Sequence, residues 1–280
     1  CMVASGCRAA RRGSSRRVLA GKRGGDYPSA MSRYDFTTQR LFLDAPLAAG
    51  ASISLDRDQA NYLVNVLRMT AGAPVLVFNG RDGEWLARLA GERKRASLTV
   101  ESETRPQIAA GTLDYLFAPL KQARLDYMVQ KAVEMGAARL RPVITRRTQV
   151  SRINEDRLRA NAIEAAEQCG ILAIPEITAP LSLEACLAGW EKAEGGRRIV
   201  FCDEDEAGAD PIAVLKALPP GPLAVLIGPE GGFSPEERAT LKALPFVTAI
   251  ALGPRILRAD TAAVAALALV QASVGDWREA

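Results

Sequence analysis

The chain has 280 residues, 48% of them apolar, with 36 Lys/Arg against 32 Asp/Glu and a formal charge of +4. Its length predicts two domains of modest size, and its longest wholly apolar run, 262–270, is about half of what a bilayer requires, which excludes a helical membrane span. Histidine is absent and the five cysteines (Cys1, Cys7, Cys169, Cys186, Cys202) make no C-x-x-C pair. Histidine-based triads and dyads and zinc-type spacing are therefore excluded, no metal is expected, and scattered thiols fit a reducing cytoplasm.

Residues 1–30 hold seven Lys/Arg against Asp26 alone, leaving 29 basic and 31 acidic residues, a charge of −2, for 31–280. Overall charge therefore decides nothing about nucleic acid, because steering depends on where cations cluster. The expectation for 1–36 is a disordered basic extension, with Met31 as the natural start. A transit presequence or an RNA-binding tail would share this Arg/Ser/Gly-rich composition.

From Arg40 to Ser102 short strands dominate. Residues 41–43 and 51–55 are β-like, and Gln59 to Met69 places Tyr62, Leu63, Val66 and Leu67 on one helical face. Residues 74–78 and 84–89 flank the turn Asn79-Gly80-Arg81-Asp82-Gly83 as a hairpin, and 96–100 add a strand. A small β-barrel over 37–103 is the economical architecture. Polar residues around Glu103 to Gln107 break the pattern, which places a linker at 104–111.

From 112 to 280 strands alternate with helices. Strands are predicted at 113–118, 140–144 and 199–202, and helices at 123–134, closed by Gly136, and from Asn154 to Gln168. This βαβ rhythm predicts a parallel sheet covered on both faces. The last helix, 261–274, is Ala/Val/Leu-rich on nearly all faces and must be buried all round, by the chain itself or partly by a second copy.

Two glycine turns follow β-type runs near the C-terminus: Gly228-Pro229-Glu230-Gly231-Gly232 after 223–227, and Leu252-Gly253-Pro254-Arg255-Ile256-Leu257-Arg258 after 247–252. Ser234-Pro235-Glu236-Glu237 then reads as an N-cap, Pro at N1 and a capping-box glutamate. Glycines at the carboxyl ends of parallel strands let backbone groups approach a flat ligand, and two such turns side by side make a slot. Neither the P-loop lysine nor G-x-G-x-x-G is present, so another adenosine-type ligand is indicated. Plain loop turns with no ligand are the alternative.

The segments 226–237 (Leu-Ile-Gly-Pro-Glu-Gly-Gly-Phe-Ser-Pro-Glu-Glu) and 252–262 (Leu-Gly-Pro-Arg-Ile-Leu-Arg-Ala-Asp-Thr-Ala) resemble the two signature loops of the RsmE-type 16S rRNA uridine-N3 methyltransferases. These belong to the SPOUT superfamily of knotted methyltransferases. The resemblance spans roughly 40–275 and includes Lys121, Arg124, the run Lys131 to Gly136, and Glu167-Gln168-Cys169. Ile171 stands where the family often has arginine, and Asp260 where glutamate is common. The resemblance implies a PUA-like RNA-binding barrel followed by a SPOUT domain, an α/β parallel sheet with a deep trefoil knot, and a homodimer. It implies methylation of U1498 of 16S rRNA in the small ribosomal subunit, with S-adenosylmethionine as methyl donor.

On that reading Leu226, Leu252, Ile256 and Leu257 wall the adenine, Gly228, Gly231 and Gly253 admit it, and Glu230 bonds the donor or fixes its loop. Arg40, Arg68, Lys121, Arg124 and Arg255 are the RNA contacts. Methylating uracil N3 requires loss of a proton and stabilisation of charge on O2 and O4, which fits Arg258 as orienting cation and Asp260 as proton acceptor. Helix capping by Asp260 and a carbonyl clamp by Arg258 are the structural alternatives. A ribose 2′-O or tRNA-base methyltransferase is the enzymatic rival, although Ile256-Leu257-Arg258 stands where ribose enzymes carry Ser-Leu-Asn. A non-enzymatic RNA-binding assembly factor is the other.

Overall fold

The computed structural model describes residues 37–91, 95–150, 152–204, 206 and 209–278; the extension expected over 1–36 lies outside them. The first sheet comprises β1 (Arg40–Phe42), β2 (Ser52–Ser54), β3 (Pro74–Phe78), β4 (Glu84–Ala90) and β5 (Ser97–Arg105), in the order β1-β3-β4-β5-β2. Only the β1–β3 ladder is parallel. The 79–83 turn is closed as expected, with Asn79 Oδ1 accepting from the backbone N–H groups of Arg81 and Asp82.

Two local readings change. The helix expected over 59–69 begins as α1 (Arg57–Ala60), boxed by Asp56 and Gln59, and widens into a π-helical turn, Asn61–Val66. It ends at Arg68 with φ +55°, the one non-glycine residue with positive φ among the described residues. Strand β5 continues to Arg105, inside the expected linker, because the Arg105 guanidinium grips Glu84 on β4 at 2.6 and 2.9 Å. The polar tail of β5 is largely exposed, so it lacks the apolar alternation by which strands are recognised.

The second part runs β6 (Leu113–Phe117), α2 (Gln122–Glu134), β7 (Arg139–Ile144), α3 (Glu155–Cys169), β8 (Glu176–Ile177), β9 (Leu181–Ser182), α4 (Leu183–Ala188), α5 (Trp190–Ala193), β10 (Arg198–Cys202), α6 (Pro211–Lys216), β11 (Leu223–Ile227), α7 (Pro235–Ala243), β12 (Val247–Ile250) and α8 (Ala259–Val274). The sheet order is β12-β10-β11-β6-β7-β8, with every ladder parallel. Side chains alternate between two apolar cores: Tyr115, Phe117, Val225 and Ile227 face α2, α3 and α8, while Leu116, Ala224 and Leu226 face α4, α5 and α7. Helix α8 is less enclosed than its composition predicts. Thr261 and Ala272 are exposed, and Ala265 and Ala268 between them are half-buried.

Arg40 joins the two parts. It is 2% exposed; its Nε donates to Glu84 at 2.8 Å, and its terminal nitrogens donate to the carbonyls of Ala166 (2.5 Å), Glu167 (3.1 Å) and Ile171 (3.3 Å). These carbonyls lie at and just beyond the C-terminal end of α3, where a cation is favoured by the helix dipole. Glu167 Oε1 in turn accepts from the backbone N–H of Phe42 at 2.8 Å. The residue expected to touch RNA is thus consumed by internal bonds.

Arg40→Ala leaves Glu84 buried with less compensation, and is expected to cost about 3–5 kcal/mol, read as a lower denaturant midpoint at constant slope. Burial alone would raise the Glu84 carboxyl, but the Arg105 hydrogen bonds and the Arg105 and Arg40 charges outweigh it and leave it below its ordinary 4.5. A carboxyl lowered by folding stabilises fully above its unfolded value and loses that contribution as pH falls through the folded one. Stability should therefore decline below about pH 4.5, and Glu84→Gln should flatten part of that acid limb in a pH series of urea melts.

Candidate active site

The parallel ladders place the carboxyl ends of β10, β11 and β12 side by side. The loops that leave them enclose a cavity of about 870 Å³, with the start of α8 as its floor. Such ends, at the point where strand order reverses, are where open parallel sheets bind ligands. Here the chain leaves β11, passes β10 and enters β12.

Both glycine turns line this cavity. Gly228, Glu230, Leu252, Gly253, Ile256 and Leu257 are in its wall, as are the cations Arg124, Arg255 and Arg258. The two turns use glycine for different reasons. A Cβ at Gly228 would lie 2.5 Å from the Phe233 ring, whereas one at Gly253 would meet nothing within 4 Å, and there φ of +97° is the constraint. Phe233 is held by an edge-to-face contact with Phe201, centroids 5.1 Å apart.

Other expected residues lie elsewhere. Leu226 is fully buried on the opposite face of β11, and its neighbour Ile227 lines the cavity in its place, since adjacent strand residues face opposite ways. Gly231 faces outward against Arg147, and Lys121 lies with Arg147 and Glu230 in a small adjoining cleft. Asp260 is half-buried in the first turn of α8, where Oδ1 accepts from the Thr261 N–H at 2.9 Å. The N-cap position belongs to Arg258, which makes no side-chain cap bond, so Asp260 is not the N-cap, although its carboxylate takes a first-turn N–H. Arg40 and Arg68 stand apart from the cavity, in the first sheet and at the end of the π-helical turn.

Sequence reasoning missed the third wall. Asp203, Glu204, Glu206 and Asp210 follow β10 and line the cavity as well. Asp203 is 3% exposed and ion-paired to Arg238 (3.2 Å) and Lys242 (2.8 Å), which ties this loop to α7. The signal was a third strand, 198–202, entering the same sheet edge. Burial pushes the Cys202 thiol at that strand's end up to about 12, so it stays protonated. Among the described residues no cluster of potential metal ligands occurs, and no helix is long and apolar enough to cross a membrane.

Comparison with known proteins matches this arrangement. An RNA methyltransferase domain model matches residues 108–271 and an RNA methyltransferase PUA domain model matches 55–101. A ribosomal RNA small subunit methyltransferase E of Rickettsia conorii is 30% identical over 235 residues, 83% of this chain and 94% of that protein. Among solved structures, a putative methyltransferase from Legionella pneumophila in complex with SAM superposes with a TM-score of 0.71 at 29% identity, covering 84% of this chain and 97% of that one. The methyltransferase E of Neisseria gonorrhoeae bound to S-adenosyl methionine gives 0.73 at 25% identity, with the same coverage. Fold and site together define an RNA methyltransferase built on a parallel α/β sheet and preceded by a PUA domain. Within that class, the chain belongs to the ribosomal RNA small subunit methyltransferase E family.

Gly228→Ala forces a methyl group into the Phe233 ring and should destabilise by about 1–3 kcal/mol. Phe233→Leu added to it should restore part of the loss, while Gly253→Ala, limited by backbone strain, should not respond to that second change; thermal unfolding of the four variants checks both.

Proposed function

We propose that this protein transfers the methyl group of S-adenosylmethionine to N3 of a uridine in 16S rRNA of the small ribosomal subunit, U1498 in the family. The observation that carries this reading is that one cavity collects both glycine turns and Arg258 within the same walls. Its volume lies in the ~300–1,000 Å³ range of small-molecule sites, its glycines expose backbone, and Ile227, Leu252 and Ala262 supply apolar surface for a purine. These residues fit the donor, which when bound supplies an electrophilic methyl on a sulfonium.

The chain's own work is positioning and charge. Leu252, Ile256 and Leu257 exclude water beside the adenine, and Gly228, Gly231, Gly253 and Glu230 shape and fix the turns. Arg258 orients uracil and stabilises charge spreading onto O2 and O4. Asp260, two residues on, takes the N3 proton directly or through a water. Arg68, Lys121, Arg124 and Arg255 contact RNA, while Arg40 holds the PUA part against the catalytic part.

We also infer a PUA-like barrel over 37–105, whose edge strands β1 and β2 both contribute to one apolar core through Leu41 and Ile53, a connection at 106–112 and a SPOUT domain beyond. Return of α8 to pack against α6, α2 and β11 after β12 has passed β10 supports a deep trefoil knot. Ile256, 86% exposed at the cavity rim, and the uncovered side of α8 support a homodimer, and a ribosomal substrate supports a cytoplasmic location.

Mass spectrometry of 16S rRNA nucleosides from cells lacking the protein should show loss of 3-methyluridine, restored by protein and donor; unchanged 3-methyluridine would sink the assignment. Arg258→Ala should lower turnover by about 10²–10³ and Asp260→Asn by about 10²–10⁴, with donor affinity by calorimetry near that of the unsubstituted protein. Turnover that persists while stability falls would make both residues structural.

A further inference from the structure

The carboxyl ends of β6 and β7 adjoin that of β11 in register, Phe117 lying opposite both Ile227 and Pro142. The segments that leave β6 and β7 therefore run along the outer side of the first glycine turn. They carry five cations: Lys121 and Arg124 after β6, and Arg146, Arg147 and, further along the chain, Arg152 after β7. Two are ion-paired, Arg124 with Glu230 and Arg146 with Glu236, the latter at 2.8 Å with 64% of each side chain exposed. Lys121 and Arg147 form no salt bridge among the described residues, and both are exposed.

Arg147 instead donates from Nη1 to the carbonyl of Gly231 at 2.7 Å, and its stem packs 3.6 Å from the position of a Gly231 Cβ. The next backbone N–H, of Arg146, donates to Glu237 Oε1 at 2.8 Å, and this glutamate also closes the capping box on Ser234. The strap after β7 is thus bonded to the far end of the glycine turn, at Gly231, and to the first turn of the α7 helix that follows it. A guanidinium has five N–H donors in a planar fork. One is spent on Gly231, which leaves others and a full positive charge facing solvent.

Resting on the function proposed above, we propose that Arg146 and Arg147, with Lys121, bind the phosphate backbone of the RNA substrate, and that Arg147 couples this docking to donor binding through its bond to Gly231. A phosphate held by Arg147 fixes the guanidinium, and a fixed guanidinium holds the carbonyl of the turn that shapes the donor cavity. Each ligand then meets a turn already ordered by the other, which is positive coupling by prepaid ordering, equal in both directions. Arg147 is a positioning residue in this scheme and touches neither the methyl group nor the base.

The test measures binding of labelled 16S rRNA transcript by filter retention across a salt series, with and without saturating S-adenosylhomocysteine, which cannot react. Unsubstituted protein should bind RNA at least about fivefold more tightly with the homocysteine present, the low end of ordinary coupling. Arg147→Ala should abolish that ratio and lower the salt slope by about one. Arg147→Lys should keep the slope but lose most of the ratio, because a point charge does not serve phosphate and carbonyl together. Arg146→Ala should lower the slope and keep the ratio. A ratio and slope in Arg147→Ala equal to those of unsubstituted protein, with its melting temperature also unchanged, overturn the inference. Absence of methyl transfer by unsubstituted protein would instead overturn the proposed function.

Discussion

The buried carboxylate of Asp114 sets the register on which the site depends. It is the second residue of β6, 1% exposed, paired in the ladders with Arg139 on β7 and Ala224 on β11. Three guanidiniums converge on it, from Arg139 (2.6 Å), Arg141 (3.2 Å) and Arg197 (3.2 Å), and Glu194 completes the cluster. Hydrogen bonding to Asp114, and then to Glu194, raises the Arg139 guanidinium further above its ordinary value. A slip of one residue would send this anion into the apolar face beside Tyr115 and break the set of ion pairs. With the amino ends of β6, β7 and β10 pinned, the ladders of β11 and β12 on either side of β10 bring their carboxyl ends level, and the turns at Gly228 and Gly253 leave from there.

The same logic divides the arginines into two populations. Arg40 is buried, and Arg139, Arg141 and Arg197 at the pinned end are half-buried, each with its fixed donors directed at internal carboxylates and carbonyls. Around the cavity, Arg255 and Arg258 are exposed, and Arg124 has a single acidic partner, Glu230, in the cavity wall. Arginine type is therefore silent about role, and burial separates the two: a cation consumed by internal acceptors fixes geometry, whereas one left facing a cavity is available to a substrate.

That distinction marks what the sequence could reveal. Strands β3 and β11 were legible to the residue because proline, glycine and asparagine turns bound them, and the parallel sheet followed from the βαβ rhythm. Most of the glycine-turn residues reached the cavity because backbone chemistry is local. Three features depended on tertiary information. Alternation shows that Leu226 and Ile227 face opposite ways, but not which face holds the cavity. The acidic loop after β10 carries no glycine signature and becomes a wall only when β10 is placed between β11 and β12. Arg40 occupies a family position, which fits a buried joint as well as a surface contact.

Helix α8 shows how one element serves several of these needs at once. Its amino end, Arg258 to Ala262, borders the cavity, so no bulky capping side chain closes that end, and Arg258 stands at the N-cap with its guanidinium free of a capping bond. Its carboxyl end is locked by Gln271, 3% exposed, whose side-chain amide donates to the Met135 carbonyl at 2.8 Å and accepts from the Asp276 N–H at 3.2 Å. Gly136 and Gly275 make room for that amide, since a Cβ at either would collide with it. An alanine-rich stem between these ends lets α2, α6 and β11 approach closely. Small side chains in this helix are therefore a packing requirement first. The side they leave open, along Thr261, Ala265, Ala268 and Ala272, accordingly carries no side chain larger than threonine.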